Sequence, residues 1–310
     1  MVSNVLITGI SGSVGHYVLD LLKDDPRYHL YLVVRKPQNI RRDIATFKNV
    51  TLIQDDIRNV HTYHAILKTI DYAILIATSW GGFKEPWRIN VYATFRMLRR
   101  MDKNRLKKVI YFSTASILDR EHQPVEAIRE IGTNYIRSKF LTHKMFQYHP
   151  LKEKIHILYP TWVYGGGQNY PWSHAAAGLA GLKPWIGFLQ YFTFDFSFHF
   201  IHCADIAQLV AYMLDHDMPK RDYVLGNARY TVGDFLRGVA SYYGHKPPLF
   251  QIRIPMGLIQ FLGKLGNKHS WDAYCMQYRH FNYNVLNCKK LGLPTSVDTV
   301  EGMMKAMLEN

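Results

Sequence analysis

The sequence contains little cysteine. Its 310 residues include three cysteines, Cys203, Cys275 and Cys288, which lie far apart and form no C-x-x-C pair. Disulfide-stapled secreted domains and cysteine-based zinc sites need more cysteines at closer spacing. His199 and His202 are three residues apart in a predicted strand, which points them to opposite faces. We therefore expect neither a disulfide framework nor a metal site.

A long apolar run is also lacking. No stretch approaches the roughly 20 apolar residues that a membrane-spanning helix needs. Residues 1–7 contain no basic segment or cleavage site typical of a signal peptide and lead directly into a predicted strand. These absences predict a cytoplasmic protein without a membrane partner.

Acidic residues are fewer than basic ones. The chain has 24 Asp and Glu against 38 Lys and Arg, a formal net charge of +14. Its hydrophobic content of 48% and charged content of 20% exclude wholesale disorder. The length suits one large domain or two lobes. The charge suits nucleic acid, an anionic membrane surface or an anionic small molecule, and composition alone leaves these open.

Short apolar runs alternate with longer helical stretches in the first half of the chain. Runs rich in Val, Ile, Leu and Tyr are typical of strands buried on both faces. The stretches at 14–22 and 88–101 have apolar residues at helical spacing. This alternation predicts an α/β fold with a doubly wound parallel Rossmann sheet. The six predicted strands are 4–8, 30–35, 50–55, 72–78, 108–114 and 155–161.

The composition changes after residue 161, where glycine and aromatic residues become frequent. Helical patterns follow at 204–217, 231–243 and 284–294, and a further strand is predicted at 222–226. We predict a Rossmann domain from residues 1–164, to which 201–226 returns. A smaller C-terminal substrate lobe is predicted from 165–200 and 227–310.

A glycine-rich loop, TGISGSVG at residues 8–15, joins the first predicted strand to the first helix. Gly9, Gly12 and Gly15 permit a tight turn, close approach of a pyrophosphate and close packing of helix on strand. The helix start adds unpaired N–H groups and the positive end of its dipole. The loop therefore predicts a dinucleotide site. Its other contributing residues are Ser11, Ser13 and Val14.

A basic pair stands where an acidic residue is expected in many such sites. In NAD sites, an Asp or Glu about 20 residues beyond the glycines binds the ribose 2′-hydroxyl. Here that position is Arg35, followed by Lys36. A guanidinium suits a 2′-phosphate, so this pair favours NADP(H) over NAD(H). The alternative is that both are solvated charges at a strand end.

Tyr135 and Lys139 are four residues apart and would share one face of a helix. A nearby ammonium favours the phenolate and lowers a tyrosine pKa from its usual value of about 10. Such a tyrosine can give or take a hydroxyl proton near neutral pH. Ser113 and Thr114 end the predicted strand between the glycine loop and this pair.

With these motifs in this order, the sequence resembles the extended short-chain dehydrogenase/reductase family of NAD(P)-dependent epimerases and dehydratases over essentially its whole length. The resemblance implies that Tyr135 is the general acid/base. Lys139 would tune it and hydrogen-bond the nicotinamide ribose, and Thr114 would orient the substrate oxygen. Further cofactor contacts implied by matching segments are Asp56, Ile57, Ala77, Thr78, Pro160 and Val163.

The sequence departs from this family at four places. Leu118-Asp119-Arg120 replaces a usual Val-Tyr-Gly, Tyr159 and Phe198 replace arginines, and His143 replaces a glutamate. In the nucleotide-sugar enzymes of the family, the arginine at the Phe198 position helps to bind the diphosphate. The aromatic-rich segment 185–200 could instead line an apolar pocket, or it could pack in a core.

The implied reaction is hydride transfer between nicotinamide and a carbinol or ketone carbon. The motif set favours a nucleotide sugar or related polyol as the substrate. One alternative is an NADPH-dependent reductase of a small apolar carbonyl compound. Another is a non-catalytic NADP-binding sensor, although such relatives typically lose the Tyr and Lys retained here.

A basic run spans residues 96–108. No nucleic-acid-binding motif accompanies it, so we expect a solvated helix face or a subunit rim and no nucleic-acid partner. The family resemblance is consistent with a homodimer.

Overall fold

A seven-stranded sheet forms the centre of the protein in the computed structural model, which describes residues 2–265, 270–295 and 297–309. The strands in chain order are β1 Ser3–Thr8, β2 Tyr28–Val34, β3 Val50–Gln54, β4 Tyr72–Leu75, β5 Lys108–Phe112, β6 Ile155–Pro160, β7 Trp162–Tyr164, β8 Phe192–Thr193, β9 Ser197–His202, β10 Asp222–Leu225, β11 Arg229–Thr231 and β12 Ile252–Arg253. The central order is β3-β2-β1-β4-β5-β6-β10, and all neighbouring strands run parallel. The predicted doubly wound parallel sheet is confirmed.

Helices cover both faces of this sheet. They are, in chain order, α1 Ser13–Leu22, α2 His64–Leu67, α3 Thr94–Leu98, α4 Ile128–Ile131, α5 Asn134–Phe146, α6 His174–Ala180, α7 Ile186–Leu189, α8 Cys203–Asp215, α9 Val232–Tyr242, α10 Met256–Leu265, α11 Ser270–Tyr278 and α12 Val300–Leu308. A π-helical segment, Trp87–Ala93, leads directly into α3.

Each central strand contributes side chains to two separate cores. Consecutive strand residues point to opposite faces, so Leu6 packs with Val109 and Tyr111 in one core, while Ile7 packs with Ile110 in the other. This two-sided burial explains why the strand sequences are nearly continuous apolar runs.

The segment at 284–294 differs from its predicted helical pattern. It contains only a short 3₁₀ turn at Lys289–Leu291. Leu286 instead pairs with the edge strand β10. Its N–H donates to the Val224 carbonyl at 2.7 Å, and its carbonyl accepts from the Gly226 N–H at 3.2 Å. Pairing with a distant strand therefore overrides the local pattern.

The C-terminal part of the chain builds smaller sheets of its own. β9 pairs in parallel with β7 and antiparallel with β11, and β12 pairs in parallel with β8. Phe200, Phe235 and Met303 are among the residues of a third core beneath this part. The domain boundary predicted at residue 200 falls inside β9, which spans Ser197–His202.

Among the described residues, no helix is both long and apolar enough to cross a membrane.

Adding a methyl group at Gly15 should destabilise the fold. A Cβ there would lie 2.4 Å from the Gly9 carbonyl oxygen and 2.6 Å from Ile10 Cα, and these backbone atoms cannot rotate away. We expect Gly15→Ala to lower the free energy of unfolding by about 1–3 kcal/mol in urea denaturation.

Gly178→Ala is the matched control, because Gly178 lies in α6 and its Cβ would meet nothing within 4 Å. That change should be neutral or stabilise by up to about 1 kcal/mol. A Gly15→Ala protein as stable as the wild type would contradict the close contact of α1 with the backbone of Gly9 and Ile10.

Candidate active site

A cleft of about 1780 Å³ lies at the carboxyl edge of the central sheet. Its walls include the loops that follow β1, β2, β3, β4 and β5. In open parallel sheets, ligands bind at this edge because the helix starts and strand ends converge there. The predicted site residues lie in these loops, in α1 and α5, and on β6 and β7. All of them except Gly15 line the cleft.

The glycine loop has the shape that a pyrophosphate needs. Gly9 has φ 78°, and a Cβ there would lie 2.6 Å from the Ala77 nitrogen. The Gly12 N–H donates to the Gly9 carbonyl at 3.0 Å, which closes the turn. Gly12 then caps α1 without any side-chain hydrogen bond, so the first helical N–H groups are left for a ligand. The loop therefore fits a dinucleotide, and Gly15 lies beneath it as a packing position.

Two basic side chains lie at the far end of the cleft, where β2 ends. Arg35 and Lys36 are exposed and line the cleft. The Asp56 carboxylate is held by Arg58 through two hydrogen bonds of 2.9 Å, and Arg35 Nε lies 3.8 Å from it. Partial burial opposes ionisation of Asp56, but the Arg58 guanidinium keeps its pKa below the usual range. Asp56 is thus already paired.

The other predicted contacts on the cleft wall are Ile57, Ala77, Thr78, Pro160 and Val163.

Tyr135, Lys139 and Thr114 come together at the middle of the cleft. Tyr135 and Lys139 lie one turn apart on α5, and their side chains are 6% and 1% exposed. Thr114 follows β5, and its side chain lies close enough to the Tyr135 phenol to oppose the effect of burial on the phenol's pKa. The Thr133 hydroxyl caps α5 by accepting from the Ile136 N–H at 3.3 Å, which fixes where the helix starts.

The electrostatics of this group differ from the expectation. Lys139 Nζ donates to the Phe112 carbonyl at 2.6 Å and to Tyr111 Oη at 3.1 Å. Burial lowers the pKa of Lys139 to about 7. Burial also raises the pKa of Tyr135, against the opposing effect of Thr114. The predicted lowering of the tyrosine pKa by the ammonium is therefore not seen, and the phenol keeps its proton at neutral pH.

Trp80 covers the ring of Tyr135, a contact that the sequence did not predict. Its indole stacks on the Tyr135 ring at 4.1 Å with an interplanar angle of 22°. His174 lies 5.5 Å from the same indole. Trp80 precedes Gly81 and Gly82 just after the strand predicted at 72–78. The sequence did contain a signal for this contact: Trp80 is an aromatic residue in a glycine-containing turn that follows a predicted parallel strand, at the edge of the sheet where ligands bind.

Asn90 fixes the loop that carries Trp80. Its Oδ1 accepts from the Thr78 hydroxyl at 3.1 Å and from the Ser79 N–H at 2.9 Å. Its Nδ2 donates to Ser138 Oγ at 2.9 Å. Asn90 thereby joins the loop after β4 to α5, next to Tyr135.

Aromatic side chains form one wall of the cleft beyond Tyr135. Phe198 lies 5.3 Å from Trp162, and Phe196 lies 5.7 Å from Phe281. Of the aromatic-rich segment 185–200, Phe196 and Phe198 reach the cleft, Phe200 lies in the lobe core, and others are exposed on the outer surface. Phe198, which stands where the family resemblance implies an arginine, is therefore part of an apolar wall.

Two of the departures from the family contact each other. The Tyr159 hydroxyl and His143 Nδ1 share a hydrogen bond of 2.5 Å, and both side chains are buried. Burial lowers the pKa of His143 to about 4, so the ring is neutral. A neutral hydrogen-bonded pair thus occupies the two positions at which the family resemblance implies oppositely charged residues.

Comparisons with known proteins agree with this geometry. Residues 5–226 match the NAD dependent epimerase/dehydratase family. No curated protein matches the chain significantly. Several solved structures are similar in fold at low sequence identity.

The protein gox2253 is 21% identical, with a TM-score of 0.73 over 98% of this chain and 97% of that chain. A UDP-glucuronic acid 4-epimerase from Bacillus cereus, in complex with UDP-4-deoxy-4-fluoro-glucuronic acid and NAD, is 17% identical, with a TM-score of 0.66 over 98% of both chains. A dTDP-glucose 4,6-dehydratase from Bacillus anthracis in complex with NAD is 13% identical, with a TM-score of 0.64 over 98% of this chain and 96% of that chain.

Buried neutral histidines should make the protein less stable in mild acid. Burial lowers the pKa values of His143 and His202 to about 4, against 6.5 for a free histidine. Below pH 6.5 the unfolded chain takes up protons that the folded chain does not, so stability falls as the pH drops from about 6.5 to about 4. From pH 7.5 to 5.0 we expect a loss of about 1–2 kcal/mol for each histidine in urea denaturation.

The double variant His143→Leu/Tyr159→Phe isolates one of these contributions, because it replaces the pair with apolar side chains. Its stability should fall less than that of the wild type over the same pH interval. An equal fall in both proteins would contradict a neutral, buried His143.

Proposed function

The chain belongs to the NAD dependent epimerase/dehydratase family and is an enzyme of that nicotinamide-dependent type. We propose that it transfers a hydride between the cofactor and a carbinol or ketone carbon, with Tyr135 as general acid/base. The observation that carries this proposal is the grouping of Tyr135, Thr114 and Lys139 in the cleft that the glycine loop opens. A non-catalytic sensor would have no use for this arrangement.

Each residue has a distinct role in the proposed reaction. A bound nicotinamide supplies or accepts the hydride. Tyr135 holds its proton at neutral pH and can donate it to a carbonyl oxygen, while the Thr114 hydroxyl orients that oxygen. Lys139, whose Nζ donates to the Phe112 carbonyl, would bind the nicotinamide ribose. Trp80 covers the tyrosine and limits access of water.

We infer that the substrate is a small apolar carbonyl compound, held between the Rossmann domain and the lobe of residues 165–200 and 227–310. The support is the wall that includes Phe196, Phe198 and Phe281, because apolar rings stabilise an apolar ligand by removing its surface from water. The protonated resting state of Tyr135 suits reduction of a ketone or aldehyde.

A nucleotide sugar or related polyol is the second candidate, and one residue favours it. Arg137 lines the cleft two residues after Tyr135, and within the described part of the chain its buried Nε has no hydrogen-bond partner. A guanidinium with a free N–H could bind a diphosphate. The Bacillus cereus epimerase was solved with such a substrate analogue.

We further propose that the cofactor is NADP(H). The Bacillus cereus epimerase and the Bacillus anthracis dehydratase were both solved with NAD. In this chain, however, the residues after β2 are Arg35 and Lys36, and the nearby Asp56 carboxylate is already paired with Arg58. A 2′-phosphate would meet positive charge there, whereas a ribose 2′-hydroxyl would find no free carboxylate at the end of β2.

Tyr135→Phe tests the proposed acid/base role. Loss of the phenol proton should reduce NADPH oxidation at least about 100-fold across a panel of apolar ketones, aldehydes and UDP-sugars. Binding of NADPH, measured by fluorescence titration, should stay within about threefold of wild type, because the ring still stacks on Trp80.

Tyr92→Phe, an exposed tyrosine on the segment before α3, is the matched control and should be fully active. An active Tyr135→Phe protein would overturn the assignment. A wild type that binds NADPH but turns over nothing on the panel would favour the sensor alternative.

Arg35→Ser tests the cofactor preference. Charge-assisted hydrogen bonds contribute roughly 1.5–3 kcal/mol, so the change should weaken NADPH binding about 10–100-fold in calorimetric titration. NADH binding should hardly change. Arg99→Ser, an exposed arginine next to α3, should leave both affinities unaltered. A wild type that binds NADH more tightly than NADPH would show that Arg35 does not select the cofactor.

A further inference from the structure

The C-terminal lobe exposes a group of large apolar side chains outside the cleft. Leu249 is fully exposed, Phe250 is 71% exposed, and Trp185, Phe188 and Ile252 are each more than half exposed. None of these five residues is among those that line the cleft. We call these five residues the outer apolar face. Soluble proteins rarely expose this many large apolar side chains in neighbouring segments unless the surface binds something.

The two segments that carry the outer apolar face are joined by hydrogen bonds. The Ile252 N–H donates to the Tyr191 carbonyl at 2.7 Å, and Gln251 Nε2 donates to the Gln190 carbonyl at 2.8 Å. These bonds extend the pairing of β12 with β8. The face is therefore held on paired strands and their flanks.

Pairing also brings the rings of the two segments together. Ile252 is the register partner of Phe192, and the Phe192 ring lies 4.9 Å from that of Phe188. Trp185 lies one turn before Phe188, just ahead of α7. The exposed side chains of 185–188 and 249–252 thus belong to adjoining parts of one surface.

Exposed basic residues predominate around this face, and the nearby Asp195 is paired with Arg253. The sequence contains no Asp or Glu from residue 154 to 194, nor from 235 to 271. Lys183 and Lys246 are exposed beside the apolar side chains. Arg253 is also exposed, and it pairs with Asp195 at 2.8 Å. Exposed apolar rings flanked by lysines, with acidic residues excluded from the segments that carry them, are complementary to an anionic surface with an apolar interior.

We propose that the outer apolar face docks this protein on the surface of an anionic lipid bilayer. Leu249, Phe250, Trp185 and Phe188 would enter the headgroup region, where apolar and indole side chains are stabilised, while Lys183 and Lys246 would meet anionic headgroups. Residue Leu249 makes little contact with its own chain, as its full exposure shows. A second copy is a poor occupant, because self-association would bring the same lysines face to face.

This proposal differs from the sequence-based expectation of no membrane partner. That expectation rested on the lack of a spanning segment, and peripheral docking needs none. It is also independent of the proposed reaction, because its test measures binding alone.

Co-sedimentation of the purified full chain with lipid vesicles tests the proposal. We expect the wild type to bind vesicles of equal phosphatidylcholine and phosphatidylglycerol in 0.1 M NaCl, and to bind pure phosphatidylcholine vesicles far more weakly. Binding should fall steeply in 1 M NaCl because the salt screens the lysines. Leu249→Ser/Phe250→Ser should reduce the partition coefficient at least about tenfold.

Tyr92→Ser/Tyr148→Ser is the matched control, because these tyrosines are also exposed but lie outside the outer apolar face. It should bind vesicles as the wild type does. Thermal unfolding followed by circular dichroism should show that both double variants fold.

Three results would overturn the proposal. The first is wild type that fails to bind the anionic vesicles or binds neutral ones equally well. The second is a folded Leu249→Ser/Phe250→Ser protein that binds like wild type. The third is a wild-type dimer that this variant converts to monomers without any vesicle binding, which would make the face a subunit interface.

Discussion

The common direction of the central strands is the constraint on which the rest of the site depends. Because all seven strands run parallel, their carboxyl ends meet at one edge, and the loops that follow them form a single cleft. That arrangement requires Gly9 to pass the Ala77 backbone at a distance that no Cβ would allow. The sheet therefore needs this glycine as much as a ligand would. The cleft also brings together residues more than a hundred positions apart, such as Gly9 and Tyr135.

Burial decides the chemistry at the centre of this cleft. Tyr135 and Lys139 are almost completely removed from water, and the loss of hydration disfavours the charged form of each. The lysine is held by a carbonyl and a phenol, and among the described residues no carboxylate offsets the lowering of its pKa by burial. The resting site therefore presents a protonated phenol, which suits donation of a proton to a substrate oxygen. The apolar wall beyond it extends the same low-polarity environment toward the substrate.

Local patterns in the sequence predicted the sheet, the glycine loop and the turn of helix that carries Tyr135 and Lys139, because each depends on residues close together in the chain. Contacts between distant segments were not predictable in this way. Trp80 stacks on Tyr135 across 55 positions, and His143 meets Tyr159 only because α5 packs on β6. The direction of the Tyr135 pKa was also missed, since spacing on a helix gives no measure of burial. The segment 284–294 pairs with β10 through Leu286 and does not form the helix that its apolar spacing predicted.

The most direct test of the account is hydrogen–deuterium exchange of the full chain with and without saturating NADPH. If the carboxyl edge of the sheet is the dinucleotide site, protection should appear in the glycine loop at 8–15 and in the segments that follow β2, β4 and β5. The peptides of the outer surface around Phe250 should exchange at unchanged rates. Protection confined to other parts of the chain, or no protection at all, would contradict the central claim.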